Sequence, residues 1–193
     1  MDPGRADDVA AAMATVERAR FLPAEQAGRA GEDRALPLFH GQTGSQPSTV
    51  AAMLRLLEVP IGAAVLDIGS GSGWTTALLA RLVGPAGRVL GLEIDPELAA
   101  FGAANLAACD LPWARIDLAD PRVLGRPVPG GWARILVSAS ARRLPRALVA
   151  QLADDARMVL PVGRRMTLVV RRGGGRPVLS THGEYLFVPL LTP

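Results

Sequence analysis

Two carboxylates joined by a glycine turn are the residues best placed to act together. Ala64-Val65-Leu66-Asp67-Ile68-Gly69-Ser70-Gly71-Ser72-Gly73 runs from an apolar stretch into three alternating glycines, and Glu93 closes a second apolar run, Val89 to Leu92. Glycines so spaced permit a tight turn whose backbone comes close to a ligand. Trp74 to Val83 follows with helical periodicity, so a strand, a turn and a helix N-terminus make a cradle for a polar ligand. A pyrophosphate site keeps the strand end apolar, whereas Asp67 would repel phosphate and attract a cation. Glu93 ends the next strand, where a carboxylate accepts hydrogen bonds from a ribose diol. An ammonium near Asp67 and a ribose on Glu93 describe S-adenosylmethionine. Gly69, Gly71 and Gly73 supply the close backbone, and Ser70 and Ser72 either bind the amino-acid carboxylate or serve only as turn residues. The bland alternative is that Asp67 caps a turn and Glu93 is a solvated strand end; two acids at strand carboxyl ends, joined by glycines, favour the ligand.

The elements that must hold these residues follow from periodicity. Strand 64–68, helix 74–83, strand 87–92, helix 96–108, a short strand near 113–116, strand 134–138 and helix 145–153 alternate as in a right-handed, mostly parallel, Rossmann-like α/β sheet. Met158 to Val162, Met166 to Arg171, Pro177 to Thr181 and Glu184 to Leu190 follow without intervening helices and are expected as antiparallel C-terminal strands. Upstream, 7–20 predicts an amphipathic helix with Asp7 and Asp8 at its positive end and Arg18 and Arg20 at the other. Residues 21–46 lose periodicity and read as a wrapper around a site. Pro47 suits the first position of another helix, capped by Ser45 or Gln46, with Val50, Met53, Leu54 and Leu57 inward. One domain is expected over 1–193, with a helical and loop substrate-side extension at 1–58 and a cofactor-binding core at 59–193.

Composition bounds the function classes. All 21 basic residues are Arg, against 18 acidic ones, a net charge of only +3 with no basic stripe, so nucleic-acid binding is not expected. A lone Cys109 excludes an intrachain disulfide and suits a reducing compartment. No apolar run reaches membrane-spanning length and the first residues lack the apolar core of a signal peptide, so a cytoplasmic, monomeric protein is the expectation. His40 and His182 show no metal-ligand spacing, so no metal is expected.

Beyond the cofactor class, the chain resembles the protein-L-isoaspartate O-methyltransferases, repair enzymes that methylate isoaspartyl carboxylates. Ala12 to Val16 with Arg18, Arg20, Phe21, Leu22 and Pro23 looks like that family's opening helix and its exit. The specific block is Glu32 to Leu38, then Gly41-Gln42-Thr43-Gly44-Ser45-Gln46-Pro47. Leu144-Pro145, Leu160 to Gly163 and Phe187 to Leu190 match further on. The resemblance implies Ser45 as the active-site serine between methyl donor and acceptor carboxylate, with Thr43 and Gly44 beside it and Ser138 and Ala139 on the peptide side. A hydroxyl just before Pro47 could donate to an anion there, or simply cap the helix. The acceptor carboxylate is already ionised at neutral pH, so transfer needs alignment and removal of water more than a general base.

Four positions depart from the family pattern. Gly44 replaces an apolar residue before the serine and should free that backbone. Gly31 stands where an aromatic is usual, and Ala133 where an acid is usual. No Asp-Gly turn follows the third main strand, leaving Asp117, or else Asp120, as the adenine-side acid. Three readings stay open: a carboxyl methyltransferase for isoaspartyl or aspartyl residues of proteins and peptides, a methyltransferase of the same scaffold for a peptide natural-product precursor or other small acceptor, and a catalytically silent cofactor binder.

Overall fold

The computed structural model describes residues 3–191. The first helix, α1, spans Pro3–Thr15, so Asp7 and Asp8 fall beyond its first turn and not at its start, and the Asp7 side chain lies outside the described set. The chain leaves the helix before Arg18, which enters a 3₁₀ turn, Arg18–Phe21. One cause is tertiary: the Val16 carbonyl is taken by the indole N–H of Trp74 at 3.1 Å. The expected wrapper is not structureless. It holds a short helix, α2 (Ala24–Ala27), and a small antiparallel pair, β1 (Leu36–Pro37) with β2 (Thr43–Gly44).

Helix α3 (Pro47–Leu57) starts at proline as expected and buries Val50, Met53, Leu54 and Leu57. Its cap differs from the expectation. Gln46 occupies the N-cap position without a side-chain cap, and Asp33 arrives from upstream instead, accepting from the Ser48 N–H at 2.8 Å and the Gln46 side chain at 3.1 Å. Those two donors, the Ser48 amide first, hold the Asp33 carboxyl below its ordinary pKa.

The core is β3 (Ala64–Ile68), α4 (Trp74–Val83), β4 (Arg88–Glu93), α5 (Pro96–Ala107), β5 (Ala114–Leu118), β6 (Trp132–Val137), α6 (Arg146–Val149), β7 (Leu152–Val162), β8 (Arg165–Val170) and β9 (Val178–Glu184). The seven strands order as β5-β4-β3-β6-β7-β8-β9. Strands β5 through β7 are parallel, and β8 and β9 return antiparallel. Two expectations are corrected here. Helix α6 is a single turn, because β7 begins at Leu152 and pairs parallel with β6 through a register shift. The final segment is no strand either: Ser140 meets Pro189 in an isolated bridge, with the Ser140 N–H on the Val188 carbonyl at 2.7 Å.

Apolar clusters fill both faces of the sheet, one with Val9, Phe21, Leu54, Leu78 and Val65, the other with Leu66, Leu90, Ile135 and Met158. Strands buried on both faces read as continuous apolar runs, as β3, β4 and β6 do. From β3 the chain winds outward to β4 and β5, then crosses to β6 on the other side. Ligands of open α/β sheets bind outside the carboxyl ends of the strands at such a reversal, and the glycine turn lies there.

Candidate active site

A cavity of about 470 Å³ opens at that point, between the strand ends and the N-terminal segment. On one wall the turn lines the cavity with Gly69 and Gly71, while Gly73 sits behind it against Gly102; their φ of 71°, 56° and 91° are values that an L side chain strains to adopt. Helix α5 pins the turn from outside. A Cβ at Gly102 would lie 2.5 Å from the Gly71 carbonyl oxygen, and the Asn105 amide donates to the Ser72 carbonyl at 3.0 Å. The sequence reading missed Gly102 and Asn105; the available signal was a small residue and an amide one turn apart on the helix after Glu93.

Glu93 lines the cavity and is buried. Its Oε2 accepts from the Gly71 N–H at 2.9 Å, and its Oε1 from the N–H groups of Ile94 at 2.7 Å and Asp95 at 3.1 Å. The carboxylate therefore stands in one orientation at the end of β4. Ser70 and Ser72, both buried, line the same wall.

Asp67 is placed otherwise than expected. It is not among the residues lining the cavity; its Oδ2 accepts from the hydroxyls of Thr75 and Thr76, each at 2.7 Å, at the start of α4. Its role is to brace the turn from beneath. Burial, against the two hydroxyls, pushes its pKa up to about 6, with a smaller contribution from the nearby Glu93 charge. Asp117 also misses the cavity, pairing with Arg115 at 3.3 Å and Arg126 at 3.4 Å, whereas Asp120, held by Arg122 at 3.0 Å, lines it. The reason is register: Asp117 stands within β5, opposite Leu92, and Asp120 stands past the strand end.

The opposite wall brings Thr43, Gly44 and Ser45 to the cavity, with Ser138 and Ala139 beyond the end of β6. Gly44 does not leave its backbone free. It pairs with Leu36 in the small sheet, its φ is not positive, and a Cβ there would meet Leu22 at 3.3 Å and Leu38 at 3.8 Å. Neighbouring leucines occupy the volume that the missing side chain would fill. Arg18, read from sequence as a helix-end charge, is buried and lines the cavity.

The family model for protein-L-isoaspartate(D-aspartate) O-methyltransferase matches residues 3–192. The chain belongs to this family. Among its relatives, the protein-L-isoaspartate O-methyltransferase of Aeropyrum pernix is 42% identical over 184 residues, which cover 93% of this chain and 71% of that protein. The Anaeromyxobacter dehalogenans enzyme of the same name is 47% identical over 167 residues, 84% of this chain and 78% of its own. A Plasmodium falciparum protein-L-isoaspartate O-methyltransferase solved with S-adenosyl-L-homocysteine superposes with a TM-score of 0.82 at 25% identity, over 98% of this chain and 91% of the other.

Membership makes this isoaspartate O-methyltransferase homologue an S-adenosylmethionine-dependent enzyme. The residues present fit that cofactor. The buried hydroxyls of Ser70 and Ser138 and the Asp67 Oδ1 find no hydrogen-bond partner among the described residues, and two of the three belong to residues on the cavity wall. Buried polar groups left unpaired in a fold call for a ligand or water. Glu93 has acceptor capacity left for a ribose, and the Ser70 and Ser72 hydroxyls are of the kind that donate to a carboxylate, while the N–H groups of Gly69, Ser70, Gly71 and Gly73 are spent within the fold.

Proposed function

We propose that this chain transfers a methyl group to the carboxylate of isoaspartyl, or aspartyl, residues in proteins and peptides, with Ser45 acting at the acceptor. One observation carries the reading: Thr43, Gly44 and Ser45 face the glycine turn across a single cavity that Ser138 and Ala139 also enter. Bound S-adenosylmethionine supplies a methyl group activated on a sulfonium. The chain supplies orientation. Glu93, Ser70, Ser72 and Gly69 to Gly73 hold the donor side, Asp67 braces that turn, and of the two acids the sequence offered for the adenine side, Asp117 and Asp120, Asp120 takes it. The Ser45 hydroxyl donates to one oxygen of the acceptor carboxylate, leaving the other to attack. Phe21, Leu22, Leu38 and Leu190 exclude water, which raises the nucleophilicity of a carboxylate that needs no base. The acceptor side is built mainly from the substrate-side extension 1–58 with Ser138 and Ala139, the donor side from the rest of the core 59–193. The lone cysteine supports a cytoplasmic setting.

Gly31 favours a second acceptor class. A Cβ there would meet nothing within 4 Å, so no neighbour takes the place of the aromatic that covers the peptide in the family pattern. Two measurements decide. Calorimetry with S-adenosylhomocysteine should show one site per chain, and labelled methyl should pass to an isoaspartyl peptide in preference to its aspartyl isomer. Binding without transfer to either peptide would overturn the repair reading and leave the second class.

A further inference from the structure

We propose that Arg18 is a positioning residue that makes the acceptor wall depend on the glycine turn, with Trp74 as the link between them. Its guanidinium donates to five main-chain carbonyls: Ala30 at 3.2 Å, Glu32 at 2.9 Å, Arg34 at 2.8 Å, Gly44 at 3.3 Å and Ser45 at 3.0 Å. The last two belong to the segment that carries the acceptor-side serine. The other ties of that segment are strands β1 and β2 of two residues each, the Asp33 bonds to Gln46 and Ser48, and His40 on Asp95, none of which reaches Gly44 and Ser45 together. Carbonyl dipoles aimed at one point repel one another, so without the cation the loop would spread and not contract.

The other side of the guanidinium meets the cofactor half. Its central carbon lies 5.5 Å from the ring centroid of Trp74, within range of a cation–π attraction. Trp74 is the first residue of α4, directly after Gly73, and its indole N–H holds the Val16 carbonyl two residues before Arg18. One rigid ring thus touches the end of the glycine turn and the clamp over Ser45. A shift at the turn moves Trp74, and Trp74 moves the plane on which Arg18 rests.

Lysine retains the charge but not the fork, and a single ammonium cannot serve five carbonyls. In Arg18→Lys the KM for an isoaspartyl peptide should rise about tenfold or more, with S-adenosylhomocysteine affinity within about twofold of wild type. A merely structural role would weaken both together. Hydrogen exchange provides an arm independent of the acceptor. In the wild type, S-adenosylhomocysteine should slow exchange in 69–73 and in 42–45; in Trp74→Leu the first protection should persist and the second be lost. Protection of both segments in Trp74→Leu would show that the ligand alone bridges the walls and would overturn the inference. So would an Arg18→Lys protein whose KM and exchange match wild type. The KM arm rests on the proposed methyltransferase activity, which fails separately if the wild type methylates no peptide; exchange then decides alone.

Discussion

On the cofactor wall, Gly69 to Gly73 hang between β3 and α4, Glu93 closes the neighbouring strand, and backbone meets backbone at Gly102. On the acceptor wall, 18–46 contains strands of two residues and is fastened by side chains that reach main-chain atoms far off in sequence, Arg18 to five carbonyls and Asp33 to the Ser48 amide. The first wall spreads its support over many contacts, each made by a regular element packed directly beside the turn, β4 through Glu93 and α5 through Gly102 and Asn105. The second leans foremost on Arg18, with Asp33 and the His40–Asp95 pair beside it. Changes of ligand contacts should therefore be separable from changes of fold on the first wall, while on the second a single side chain governs the placement of a whole segment.

The largest effect expected on the cofactor wall is at Glu93. Glu93→Ala should weaken S-adenosylhomocysteine by about 100-fold in calorimetry, as loss of hydrogen bonds to a charged group does. A protein that stayed folded and bound as tightly would break the assignment of that wall. On the opposite side, Ser45→Ala should lower kcat for an isoaspartyl peptide about tenfold and leave cofactor affinity within about twofold. Equal losses in both would erase the distinction between the walls.

Asp67 tests the cofactor wall from beneath. With its pKa up to about 6 in the fold against an ordinary 3.8, the folded protein binds the proton more tightly than the unfolded chain. Stability should therefore fall as pH rises from about 4 to about 6, by up to about 1.4 kcal/mol per pH unit from this group. Urea titrations of Asp67→Asn should lack that slope, and an unchanged slope would mean that the acid is not held as described. The smallest effect belongs to His40, whose ring bonds Asp95 at 2.5 Å and faces Glu97 at 3.2 Å, tying β1 and β2 to the start of α5. The Asp95 hydrogen bond, foremost, raises the His40 pKa above 6.5. The tie is complete below about pH 6.5 and lost as pH rises through the raised value. Intrinsic-rate-corrected amide exchange at Gln42 should accelerate over that interval in the wild type and be fast throughout in His40→Ala.

The same contrast explains what was legible in the sequence. The strand, glycine turn, helix and Glu93 are consecutive or regularly spaced, so local patterns disclosed the fold and the donor side. Asp67 and Asp117 were harder. Both acids lie in strands, and which of them meets the cavity depends on a register and a burial that periodicity does not carry. Strand β7 was read too short because Asp154, Asp155 and Arg157 break its apolar pattern at the end away from the core. The roles of Arg18, Asp33 and Trp74 were invisible for another reason: each is defined by partners 12 or more residues distant, at Ala30 to Ser45 for Arg18, Ser48 for Asp33 and Val16 for Trp74. Gly44 misled for the same reason, since its restraint comes from Leu22, Leu38 and Arg18.

Carbonyl oxygens are alike on every residue, and each hydrogen bond of Arg18 to Ala30, Glu32, Arg34, Gly44 and Ser45 ends on one, with the Glu32 and Asp33 charges beside it. Those hydrogen bonds are blind to the side chains of the residues they gather. Residues of that loop other than its acids are then free to drift under selection for another acceptor, one by one, without the wall coming apart, provided that Arg18, Asp33 and the path of the backbone are kept. Glycines at 31 and 44 are the kind of exchange that this tolerance admits.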